Sequence, residues 1–201
     1  MDSFEDLALP PELVEALAAE GVERPTPLQE AAIPVLRRGN NLVLAAGPGS
    51  GTLVAWGAAV LERVDPEAPG PAALVLTPTA ESAERLAESL QRVGAVTGHA
   101  VAALGSPWAL PGRAHVLFAT PARILEAAAA GEVDLAAVTT LVVDQADRIE
   151  RLNGLAPVEA VLGFLPKDGQ RVVVALPLTP GVEDFVERHA RRRPSLTART
   201  G

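Results

Sequence analysis

The chain has 201 residues, 48% of them hydrophobic, and its 25 acidic residues outnumber its 17 basic ones, which gives a formal net charge of −8. This balance fits a single globular domain, excludes a mostly disordered chain and disfavours binding of nucleic acid through bulk positive charge. The absence of cysteine excludes disulfides, thiol nucleophiles and cysteine-based zinc sites.

The predicted elements alternate along the chain between amphipathic stretches and short apolar runs. The amphipathic stretches predict helices at 11–19, 28–37, 53–64, 80–92, 122–130, 156–164 and 181–191. The apolar runs predict strands at 42–46, 73–77, 101–104, 115–119, 140–144 and 172–176. Because these runs are continuous rather than alternating, both faces of the strands are expected to be covered. The pattern predicts an α/β fold with a doubly wound, mostly parallel sheet.

The chain is expected to form one domain with three segments, because no repeat or linker divides it. Residues 1–38 are expected to form a helical N-terminal segment, residues 39–194 an α/β core and residues 195–201 a flexible tail. No apolar run approaches the roughly 20 residues that span a bilayer, and the N-terminus is acidic where a signal peptide would be basic. The sequence therefore predicts a cytoplasmic protein without membrane contact.

In parallel sheets of this type ligands bind outside the carboxyl ends of the strands. The segments that follow the predicted strands are therefore the candidate site. In chain order they are AGPGSGT (46–52), TPTAE (77–81), GSP (105–107), TPAR (120–123), DQAD (144–147) and ALP (175–177).

Taken in order, these segments resemble the motifs of the N-terminal RecA-like domain of DEAD-box ATP-dependent RNA helicases. The opening segment 4–29, with its PTP turn and Gln29, is similar to the Q motif of that family. The resemblance covers nearly the whole chain. It implies a RecA-like fold of the P-loop NTPase type, a nucleotide site and an RNA-binding surface.

The resemblance assigns a nucleotide site to two parts of the chain. Gln29 would bind adenine through its amide, and Phe4 would add a stacking or packing face. The phosphates would lie against the glycine-rich loop, at Gly47, Gly49, Ser50, Gly51 and Thr52. The alternative for the first two residues is that Gln29 caps the turn before a helix and Phe4 fills the core. The alternative for the loop is a structural strand-to-helix turn.

Three motifs depart from the family pattern. The loop passes from Gly51 directly to Thr52, so the family's lysine is missing, and Pro48 replaces a threonine and removes one N–H donor. In DQAD, Asp144 would hold Mg²⁺ through water, whereas Gln145 replaces the glutamate that acts on the attacking water and cannot accept a proton. Asp147 is expected to lose its partners, because ALP has no hydroxyl where the family has Ser-Ala-Thr.

The resemblance also implies an RNA-binding surface across four positions. Its members are Thr79, Gly105, Thr120 and Arg123. Ala80 stands where the family has an arginine, so weak RNA contact is expected, and helix caps and turns are the alternative explanation. The basic cluster Arg191–Arg193 is a competing place for RNA, or else a solvated helix end.

These departures predict a degenerate helicase domain rather than an active enzyme. Any binding of ATP, ADP or Mg²⁺ is expected to be weak or absent, and the domain is expected to act as an RNA- or protein-binding, regulatory module. The chain is also expected to end before a second RecA domain with its arginine finger. The alternative is an ATP-binding half that needs such a second domain for activity.

Overall fold

A computed structural model describes residues 3–106, 110–190 and 194–197. Over these residues the strands are β1 (Leu42–Ala45), β2 (Ala73–Leu76), β3 (Val101–Ala103), β4 (Val116–Ala119), β5 (Thr140–Val143), β6 (Gln170–Val174) and β7 (Ser195–Thr197). The α-helices are α1 (Pro11–Ala19), α2 (Pro27–Arg37), α3 (Thr52–Arg63), α4 (Ala80–Val96), α5 (Pro121–Ala129), α6 (Ala146–Asn153), α7 (Ala156–Leu162) and α8 (Pro180–His189). Two short 3-10 turns lie at Glu5–Leu7 and Pro111–Arg113.

The described strands form one sheet in the order β3-β4-β2-β5-β6-β1-β7, and every neighbouring pair is parallel. The central strands are short runs of buried, mostly aliphatic residues, as a sheet covered on both faces requires. The predicted doubly wound, parallel α/β fold is confirmed.

The helices divide between the two faces of the sheet. Helices α1 to α4 pack on one face around Phe4 and Trp56, and α5 to α8 pack on the other face around Ile124 and Phe185. Within β1 the side chains alternate, since Leu44 belongs to the first core and Val43 to the second. The sheet therefore separates two apolar cores and leaves its carboxyl edge for the polar loops.

Two elements of the structure go beyond the predicted ones. Helix α6 forms directly after the DQAD segment, and β7 pairs with β1 through Val43–Ser195, Leu44–Leu196 and Ala45–Thr197. The expected flexible tail at 195–201 thus begins with a strand. The basic cluster Arg191–Arg193 lies outside the described residues.

No helix among the described residues is both long enough and apolar enough to cross a lipid bilayer.

Candidate functional site

The candidate nucleotide site is a cleft at the carboxyl edge of β1, β6 and β5, which are neighbours in the sheet. Its volume is about 370 Å³. One wall is the loop 46–51 with the start of α3, a second is one side of α4, and Asp144 and Gln145 close the third. The strand order therefore brings together the glycine-rich loop and the DQAD segment, as the sequence predicted.

The conformation of the loop depends on two glycines. Gly49 has φ +84° and Gly51 has φ +78°, values that residues with a side chain adopt only at a cost. A Cβ atom on Gly51 would also lie 2.5 Å from Nε2 of Gln29. Gly51 is the N-cap of α3 and brings no side chain to cap it, so the first turn of α3 has no side-chain partner for its N–H groups.

No lysine accompanies this loop. The one lysine of the sequence, Lys167, precedes β6 and lies beside Asn40 and Asn41 at the amino end of β1, on the opposite edge of the sheet. Pro48 lines the cleft and has no N–H to offer. The loop therefore presents backbone groups to a ligand but no charge of its own.

The structure places Gln29 at the cap of a helix and Phe4 in the core, which is the alternative given above for these two residues. Thr26 and Gln29 form a capping box at the start of α2, and Oε1 of Gln29 accepts a hydrogen bond from the Thr26 amide at 2.9 Å. Nε2 of Gln29 donates to the Gly51 carbonyl at 3.0 Å. Gln29 is only 2% exposed and does not line the cleft. The expected stacking of Phe4 on a base does not fit this structure, because the Phe4 ring is fully buried in the core.

Asp144 is buried at the back of the cleft, with 5% of its surface exposed. Nε2 of Gln145 donates a hydrogen bond to Asp144 Oδ2 at 3.0 Å. Burial raises the pKa of Asp144, whereas the hydrogen bond from Gln145 and the positive charge of Arg85 oppose this rise and the charge of Asp147 adds to it. Gln145 itself has φ +54°, an uncommon value for a residue with a side chain. The glutamine thus stabilises the carboxylate that it follows.

Asp147 keeps a link to the ALP segment, so the expected loss of its partners is wrong. Its Oδ1 accepts a hydrogen bond from the backbone N–H of Leu176 at 3.3 Å. Arg151, one turn along α6, lies 3.8 Å from Asp147 Oδ2. A backbone N–H needs no hydroxyl side chain, and this is why a segment without hydroxyls still contacts the carboxylate.

A second link joins α6 to the segment after β6. The hydroxyl of Thr179, the N-cap of α8, donates to Oε2 of Glu150. A Cβ atom at position 181 would collide with Glu150 Oε1, so a side chain there would have to displace the carboxylate end of Glu150. These contacts fix the position of α6 relative to α8.

The four residues of the expected RNA surface lie at the carboxyl ends of the neighbouring strands β2, β4 and β3. The hydroxyls of Thr79 and Thr120 cap α4 and α5. Gly105 is exposed with φ +101°. Arg123 forms an ion pair with Glu132 at 3.0 Å. Helix capping explains Thr79 and Thr120, and a turn explains Gly105. Each threonine hydroxyl can still form a further hydrogen bond to a phosphate group.

Sequence reasoning missed the charged residue of the cleft wall, Arg85. It lies on α4, whose side forms the second wall, and it is the cationic side chain among the described residues that line the cleft. No motif signals it, because only the packing of α4 beside α3 brings it near the loop.

The residues present fit a phosphate-bearing ligand. The loop and the start of α3 supply N–H groups, and Arg85 supplies a positive charge. Asp144 is the carboxylate that would hold Mg²⁺ here. The described residues include no group of three or more histidine, aspartate or glutamate side chains that could hold a metal ion.

The chain matches known proteins over most of its length. The sequence model of the DEAD/DEAH box helicase family matches residues 26–185. The chain is 31% identical over 195 residues to the ATP-dependent RNA helicase dhh1 of Aspergillus clavatus, covering 94% of this chain and 39% of that protein. It is 32% identical over 193 residues to DHH1 of Phaeosphaeria nodorum, covering 92% and 37%. The chain thus spans about two fifths of the length of these relatives.

Solved structures agree with these matches. Dbp5 of S. cerevisiae bound to RNA and ADP BeF3 superposes with a TM-score of 0.89 at 27% identity, over 99% of this chain and 52% of that chain. A DEAD box protein from Methanococcus jannaschii superposes with a TM-score of 0.92 at 24% identity, over 99% and 56%, and shows the fold alone. The RecA-like fold predicted from the sequence is confirmed.

Proposed function

Because the chain belongs to the DEAD/DEAH box helicase family and forms its N-terminal RecA-like domain, we propose that it is a binding and regulatory module without ATPase or helicase activity of its own. Its partner in this proposal is RNA or another protein. The relatives named above are RNA helicases, and Dbp5 has been solved with RNA and, separately, with Gle1.

The observation that carries this proposal is the amide at position 145. Hydrolysis of ATP requires a group that orients or deprotonates the attacking water, and an amide cannot accept the proton. Nε2 of Gln145 is also engaged by Asp144 at 3.0 Å. Loss of a general base typically costs about 10²–10⁴ in rate. In addition, the glycine-rich loop has no lysine, so the phosphate site lacks the positive charge that such a lysine would supply.

A second candidate function is supported by the cleft itself. A cavity of about 370 Å³ bordered by the glycine-rich loop, Arg85 and Asp144 has the size and donor groups for a nucleotide. In this candidate the domain binds ATP or ADP and becomes active only together with a second RecA domain.

An ATPase assay on the purified chain tests the first proposal. We expect phosphate release at the background rate, with or without single-stranded RNA. The matched control is Asp144→Ala, which removes the carboxylate that would hold Mg²⁺, so any phosphate release that persists in this variant comes from a contaminating enzyme. RNA-stimulated release that survives further purification and disappears in Asp144→Ala would refute the loss of activity.

Fluorescence anisotropy tests the RNA-binding part. With a net charge of −8 and Arg123 paired with Glu132, we expect single-stranded RNA to bind no more tightly than about 10⁻⁴–10⁻⁶ M, with a shallow salt dependence. Glu132→Gln should strengthen binding several-fold because it releases Arg123, and Arg123→Ala should weaken it.

The competing contact at Arg191–Arg193 needs its own variant. Deleting the tail would also remove β7, which pairs with β1. Substituting the three arginines by serine leaves β7 in the chain. Loss of binding only in that variant, with Arg123→Ala unchanged, would exclude the strand-end surface as the RNA site.

A further inference from the structure

We propose that Arg85 supplies the positive charge that the phosphate loop lacks, so that the cleft binds the phosphates of a nucleoside di- or triphosphate. The inference rests on the second candidate function, nucleotide binding, and names the residue on which it depends. Arg85 lies on α4, outside the loop and the DQAD segment.

The position of Arg85 follows from the packing of two helices. Helix α3 begins at the loop and packs against α4. Arg85, Leu86 and Ser89 come from one side of α4 and form the wall that faces the loop. Ser89 is four residues from Arg85 and three from Leu86, so it neighbours both on the helix surface and the three residues form one continuous wall. The charge of Arg85 acts on the buried Asp144, which closes the same cleft.

The guanidinium of Arg85 is available to a ligand. Among the described residues it has no carboxylate within 4.0 Å and donates no side-chain hydrogen bond to another residue. Several other described arginines are instead paired with a carboxylate: Arg37 with Glu62, Arg92 with Glu20, Arg123 with Glu132 and Arg188 with Asp184. Arg85 is exposed. An unpaired cation on the wall of a cleft whose opposite wall is a glycine-rich loop at the N-terminus of a helix is suited to an anion.

The charge balance of the cleft gives the reason for a cation. Asp144 alone would repel a polyphosphate, and the loop offers dipoles but no full charge. Arginine binds phosphate oxygens through two parallel N–H groups, which a lysine cannot do. The sequence has one lysine among its 17 basic residues, so nearly all of its positively charged side chains are arginines. One charged hydrogen bond at this position corresponds to about a tenfold change in affinity.

Calorimetric titration with adenosine, AMP, ADP and ATP, in Mg²⁺ and at low ionic strength, tests the proposal. Arg85→Gln should weaken ADP and ATP binding about tenfold and leave adenosine binding unchanged. Arg85→Lys should retain part of the affinity. The matched control is Arg92→Gln, which removes the same charge from the same helix but lies away from the cleft, and it should bind as the wild type does. Thermal unfolding of each variant establishes that it is folded.

Three outcomes would overturn the proposal, and they separate it from the function on which it rests. If the wild type binds ADP and Arg85→Gln binds it equally well, Arg85 is not the phosphate cation, although nucleotide binding stands. If Arg92→Gln weakens binding as much as Arg85→Gln, only the net charge matters. If the wild type binds neither ADP nor ATP, the nucleotide-binding candidate fails and the role of Arg85 fails with it.

Discussion

Restoring the missing lysine should restore much of the phosphate affinity of the loop. The perturbation is one lysine inserted between Gly51 and Thr52, combined with Pro48→Thr, which returns an N–H donor to the loop. Replacing Gly51 by lysine is not equivalent. Gly51 has φ +78°, where a side chain costs about 1–2 kcal/mol, and its Cβ atom would lie 2.5 Å from Gln29 Nε2. The insertion leaves Gly51 in place.

The magnitude follows from the contact that is gained. One charge-assisted hydrogen bond contributes about 1.5–3 kcal/mol, which is roughly a tenfold to 150-fold gain in affinity for ADP. Helix α3 is anchored by the fully buried Trp56, so the loop must accommodate the extra residue, and its glycines allow this. If Arg85 already supplies charge to the cleft, the gain should be larger in an Arg85→Gln background than in the wild type.

Calorimetric titration with ADP and Mg²⁺ measures this gain. The control carries alanine instead of lysine at the inserted position, together with the same Pro48→Thr change, so that the two proteins differ only in the charged side chain. Equal affinity of the two proteins, both folded, would refute the reasoning. The loop would then differ from the family in conformation as well as in sequence.

Three further predictions concern stability. Ala8 has φ +54° and is exposed, so Ala8→Gly should raise the free energy of unfolding in urea by about 0.5–1 kcal/mol, whereas Ala18→Gly, within α1, should lower it by about 1 kcal/mol. Burial raises the pKa of Asp144, so the wild type loses stability relative to Asp144→Asn as the pH rises from about 4 through the raised pKa, and unfolding at several pH values checks this. Gly181→Ala should lower the free energy of unfolding by about 1 kcal/mol, because displacing Glu150 from Thr179 costs about 1–3 kcal/mol and alanine regains at most about 1 kcal/mol over glycine in a helix; a thermal melt that matches the wild type would contradict this.

The parts of the fold that the sequence predicts are those with a strong local pattern. Helix α1 was predicted at its observed bounds because its amphipathic pattern is delimited by Pro11 and Gly21. Helix α6 was missed because it is largely polar and buries only Ala146 and Ile149. Strand β7 was missed because its three residues are mostly exposed, so no apolar run marks it. Its position depends on pairing with β1, which a local pattern does not show.

The candidate site likewise has parts that could be predicted from the sequence and parts that could not. The glycine-rich loop and the DQAD segment follow buried strands, so their meeting at one edge could be predicted from parallel topology alone. Arg85 could not be predicted, because its nearness to the loop depends on how α4 packs beside α3. The burial of Gln29 could not be predicted either, because its hydrogen bond to Gly51 joins residues 22 positions apart.

A sequence motif records side chains only, so the loss of a motif's side chains does not show that contacts made by its backbone are lost. The ALP segment lacks hydroxyls, yet the Leu176 N–H reaches Asp147, and Thr179 reaches Glu150 on the same helix. The connection between α6 and the segment after β6 has therefore survived the loss of the motif. In contrast, no backbone group can replace the proton acceptor absent at Gln145, since an amide has no basic site at neutral pH. Binding and coupling depend on groups that neighbouring residues can supply, whereas proton transfer depends on one side chain, so binding is the activity that this domain retains in our proposal.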